Sequence, residues 1–187
     1  MFDSENPFEL CDNLSSYPLT VILDYLQRTH AYYLGKRLFE LEHTIQIIQQ
    51  ETTYDNNLSL PLARFFTAFK TGLWEHIELE ENYLFPHIRF LMTCAKAVSH
   101  TKWLQRRLKN FSLQQFIADH DDNSEQQLIH IQTFIEQHII PDDRLSPVQV
   151  FLKQVQGFEK DLRIHALVED HVLIPEALRL EQQFMTF

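Results

Sequence analysis

The chain has 187 residues, 44% of them hydrophobic with 15 Phe, and a formal charge of −10. That length and apolar share suit one domain with a sizeable core and exclude a disordered chain. The acidity argues against nucleic acid as a partner, since phosphate binding wants a basic face. Three Gly fit long helices better than a loop-rich β fold, and two Cys provide neither a disulfide framework nor a thiolate zinc site.

The start, Met1 to Pro7, has no basic region and no apolar core, so it does not read as a signal peptide. No stretch approaches the ~20 apolar residues of a membrane span. The expectation is a soluble cytoplasmic protein with no membrane partner.

Residues 1–17 read as an irregular lead-in, 18–180 as the helical domain and 181–187 as a C-terminal tail. The first helix starts near Pro18, and its stripe is Leu26, His30, Leu34, Leu38, Leu41, Ile45 and Ile48. The polar run Glu51 to Asn57 reads as a loop. The second helix opens at Ser59 or Leu60 with Pro61 in its first turn, and carries Leu62, Phe66, Phe69, Leu73, His76, Glu80 and Tyr83. Pro86 removes a backbone donor and is expected to kink this helix or mark its last turns.

Residues 93–111 hold the basic cluster Lys96, Lys102, Arg106, Arg107 and Lys109 with Trp103. They read as an extension of the second helix, a short extra helix or a connection. A third helix starts at the capping sequence Ser112-Leu113-Gln114-Gln115. Its stripe is Phe116, His120, Ser124, Gln127 or Leu128, Ile131, and Phe134 or Ile135, and it stops by Pro141. Ser146-Pro147-Val148-Gln149 is a strong start for the fourth, with Val155, Phe158, Leu162, His165, Glu169 and Val172 in line. The fold class expected is all-α, an antiparallel up-down four-helix bundle.

One pattern occurs twice in this frame. His76-x-x-x-Glu80 is followed by Leu84-Phe85-Pro86, and His165-x-x-x-Glu169 by Leu173-Ile174-Pro175. Residues four apart share a helix face, so each His–Glu pair is a two-ligand unit on a buried stripe. A lone His precedes each: His30 lies 46 residues before His76, and His120 lies 45 before His165. The midpoints fall in the predicted turns, which places each lone His level with its pair in an antiparallel hairpin. Ionised carboxylates are costly in a core unless paired or metal-bound. Imidazole with carboxylate suits non-haem iron, and two Glu with His on either side describe a di-iron site. Manganese or zinc can occupy the same donors.

The other His (His43, His87, His100, His130, His138, His171) read as surface or satisfied residues. Glu81 and Asp170 are candidates to hydrogen-bond ligands or to be solvated. Tyr32 and Tyr33 read mainly as core or rim packing, with a hydroxyl near the site as the alternative.

These motifs, with Thr29-His30 and Asp119-His120-Asp121, resemble the hemerythrin-like (HHE cation-binding) domains over residues 18–180. Within that group the chain looks most like the iron-sulfur cluster repair (RIC) di-iron proteins, without their Cys-bearing N-terminal domain. The resemblance implies two irons, oxo- or hydroxo-bridged, joined by Glu80 and Glu169, with His30, His76, His120 and His165 as terminal ligands. It further implies a redox or repair role in nitric oxide or oxidative stress. The partners implied are O₂, NO or peroxide, and damaged iron-sulfur proteins. Two departures stand out: Ala31 follows His30 where members often have tandem His, and Ser124 stands where oxygen carriers have another His. An O₂- or NO-sensing module and an iron-storage bundle are the alternatives, and no residue is singled out as catalytic.

Overall fold

The computed structural model describes residue 11 and residues 13–51, 56–96, 111–119, 123–137 and 146–185. His120, most of the basic cluster and the turn at residues 141–144 lie outside the described residues. The described residues are all helix and turn, with no strand, and form the four long helical stretches that a four-helix bundle needs. No helix among them is long and apolar enough to cross a membrane.

The first stretch is α1 (Leu19–Tyr32), a π turn π1 (Tyr33–Arg37) and α2 (Leu38–Gln50). The second is α3 (Asn56–Leu79), π2 (Glu80–Leu84) and α4 (Phe85–Lys96). The third comprises α5 (Leu113–Asp119) and α6 (Ser124–Glu136). The fourth is α7 (Pro147–Val168), π3 (Glu169–Leu173) and α8 (Ile174–Met185).

Local chemistry accounts for most boundaries. Ser112 and Ser146 cap as expected, their hydroxyls accepting from the amides of Gln115 at 3.3 Å and Gln149 at 3.2 Å. The second long helix continues past Pro86 to Lys96. Three expectations need correction. That helix begins at Asn56, so Pro61 stands past its first turn. The third helix is two segments, with Asn123 outside helical geometry at φ −105, ψ 11. It follows Asp121-Asp122, residue types that compete with helix for backbone hydrogen bonds. The residues expected as a tail continue α8 to Met185, with Glu181 and Phe184 buried.

Two positions in the buried stripes also need correction. Leu34 is exposed and Tyr33 buried; Tyr83 is exposed and Leu84 buried. A π turn carries one residue more than an α turn and so moves later buried positions up by one, as from Tyr83 to Leu84.

The chain divides into two compact units. One comprises residues 1–27, 76–121 and 164–187. Its core joins Cys11, Ile22, Leu26, Leu84, Phe85, Ile88, Leu113, Val168, Val172 and Leu173. The other comprises residues 28–75 and 122–163. There Phe158 meets Tyr33 at 5.2 Å between ring centres and Phe69 edge-on at 5.8 Å. In the same unit Asp161 holds both ends of π1. Its carbonyl accepts from the Tyr33 hydroxyl at 2.9 Å, and its carboxylate from Arg37 Nε at 3.0 Å and Nη2 at 2.5 Å. Partial burial opposes the Arg37 charge, but Asp161 outweighs it and holds the guanidinium above its ordinary pKa.

Candidate metal centre

His76 sits in the last turn of α3, and Glu80 opens π2 one turn later. The four-residue spacing brings His76 Nε2 to 2.6 Å from Glu80 Oε1. Glu80 is 0% exposed. Its other oxygen, Oε2, lies 3.9 Å from His165 Nε2, near the end of α7. His165 Nε2 lies in turn 3.8 Å from Oε2 of Glu169, the buried first residue of π3. The two oxygens of Glu80 thus face two different imidazoles.

The longer separations are informative. At 3.8 and 3.9 Å these atoms are beyond direct hydrogen bonds. Donors about 2.1 Å from a shared ion lie about 3–4.2 Å apart, so this spacing suits atoms around one cation. His30 is buried as well. Glu80 and His165 belong to a set of donors that could hold a metal ion. Nitrogen and carboxylate donors without thiolate fit a borderline metal such as iron, manganese or zinc.

Of the six residues expected as ligands, five are described, and four of those are buried. His76 is half-buried, and His120 lies outside the described residues. Glu81 accepts from Gln27 Nε2 at 2.6 Å, and Arg89 donates to Gln27 Oε1, so Glu81 is held by a chain of polar side chains. Asp170 is exposed. Tyr33 is a core residue, whereas exposed Tyr32 carries Lys36 and Arg37 over its ring. His43 is exposed and stacks on Phe39.

Sequence reasoning did not single out a second buried pair. His87 Nε2 lies 2.9 Å from Glu181 Oε1, and that oxygen also accepts from the Leu113 amide at 3.4 Å. The His87 ring packs 4.4 Å from that of Phe111. The apolar context of Ile88 and Leu91 was the only available signal, and it does not name Glu181 as the partner. No protein-family model, curated protein or solved structure matches the chain.

Proposed function

We propose that this is a non-haem di-iron protein on an antiparallel four-helix frame, with a redox or repair role in nitric oxide or oxidative stress. Glu80, Glu169, His30, His76, His120 and His165 would hold the two irons. The observation that carries this reading is Glu80, a fully buried carboxylate whose oxygens face His76 and His165 separately. One carboxylate aimed at two imidazoles on different helices suits a shared metal site better than an ordinary ion pair.

When bound, iron supplies redox chemistry and open positions for NO, O₂ or peroxide. The chain contributes the rest. His76 and His165 present neutral nitrogen donors. Glu80 and Glu169 balance the charge of the cations, and the apolar residues around Val168 and Val172 limit water. The substrates implied are a small diatomic or peroxide, and damaged iron-sulfur proteins.

Anaerobic reconstitution with ferrous iron, metal analysis and EPR test the proposal. About two irons per chain are expected, and Glu80→Ala with Glu169→Ala should abolish the coupled-iron spectrum. Fewer than about one iron per chain, or an unchanged spectrum in the double variant, would falsify it. A stable reversible O₂ adduct would indicate a carrier instead.

A further inference from the structure

The ligands account for the His-x-x-x-Glu part of the repeat and leave its trailing Leu-apolar-Pro without a role. Both copies place that trailing segment identically. The Glu is the first residue of a π turn, and the Leu is the last, fully buried in each copy. The next residue closes the wide turn: Phe85 N–H donates to Glu80 O, and Ile174 N–H to Glu169 O. Pro86 and Pro175 come immediately after, where the ladder steps from five residues back to four.

Proline is suited to that position. It has no N–H with which to close an α bond, and in an α-helix its ring collides with the carbonyl four residues back. Those carbonyls belong to Asn82 and His171, inside the π turns. Widening the turn relieves the clash, and restoring an α turn would bring it back. Both prolines are exposed, so core packing does not explain them.

We infer that Pro86 and Pro175 are positioning residues that lock the π turns opening at Glu80 and Glu169, and so fix the register of the metal donors. This rests on the metal-binding reading proposed above. One residue more or less in a helix turns everything beyond it by about 100°. With the π turn in place, Glu80 upstream and Leu84, Phe85, Ile88 and Leu91 downstream are all buried. Without it, either the donors or the downstream core would rotate away. The third π turn, Tyr33–Arg37, has no proline after it, and the Asp161 clamp holds it at both ends.

The test uses the full chain with Pro86→Ala, Pro175→Ala and both together. Co²⁺ titration follows the ligand-field bands, and apo crystal structures report the turns. In the double variant, loss of at least one π turn is expected, with Co²⁺ affinity falling at least tenfold and the bands shifting. Deleting Tyr83, an exposed residue of π2, should weaken binding further, whereas Tyr83→Ala should stay within twofold of wild type. Retention of both π turns in the double variant overturns the lock, whatever the metal does. So does wild-type Co²⁺ affinity and spectrum in that variant. Wild-type protein that takes up no Co²⁺ overturns the metal reading alone, and the apo structures then decide the lock.

Discussion

Glu80 and Glu181 are both buried carboxylates beside an imidazole, yet they do different work. Glu80 divides its oxygens between two His, whereas Glu181 directs one oxygen to both His87 and the amide that opens α5. The second arrangement is satisfied within the protein, and among the described residues no donor set gathers around it. Removing His87 leaves Glu181 buried with only the amide, and breaking such a pair costs about 3 kcal/mol. His87→Ala should therefore lower the thermal midpoint by about 6–12 °C in a chain of this length, with iron content unchanged. A fall in iron content would show that His87 serves the metal. The His76–Glu80 and His165–Glu169 pairs were legible because each lies within one helical turn. His87 was not, since its partner is 94 residues away and periodicity carries no information across that distance.

Helical periodicity located all four long stretches and most of their buried faces. It failed where the helix itself departs from 3.6 residues per turn. Extending an α stripe from Glu80 through π2 selects Tyr83, and the structure buries Leu84 instead. The signal for π2 was present in Pro86, but a helix end, a kink and a wide turn all accommodate a proline. For π1 the deciding residue is Asp161, remote in sequence and unremarkable in composition. Asp161→Ala removes the carboxylate that holds Arg37, a pair partly open to solvent, and should cost about 1–2 kcal/mol. Urea denaturation should show this as a lower midpoint with an unchanged slope. The Tyr33 hydroxyl, which bonds to the backbone carbonyl, keeps its acceptor in that variant. An unchanged midpoint would mean that the clamp contributes nothing to stability.

For the molecule as a whole, the all-helical class followed from scarce Gly and from stripes at helical spacing. Division into two compact units did not, because each is assembled from separated stretches of chain. If metal binds the folded chain alone, loading couples directly to folding. At a free metal concentration about 1,000 times Kd, it should add about 4 kcal/mol, or about 8–16 °C for a chain of this size. Calorimetry before and after chelation measures this, and equal midpoints would show that the folded state gains nothing from the ion. The matched π turns carry a consequence for ancestry. A one-residue insertion within a buried helix is among the hardest length changes for a lineage to accept, because it swings the whole downstream face. Here the same excess occurs at residues 80 and 169, on the same residue type and before the same proline. Doubling of a single hairpin that already held the insertion needs that rare event once, where separate origins need it twice.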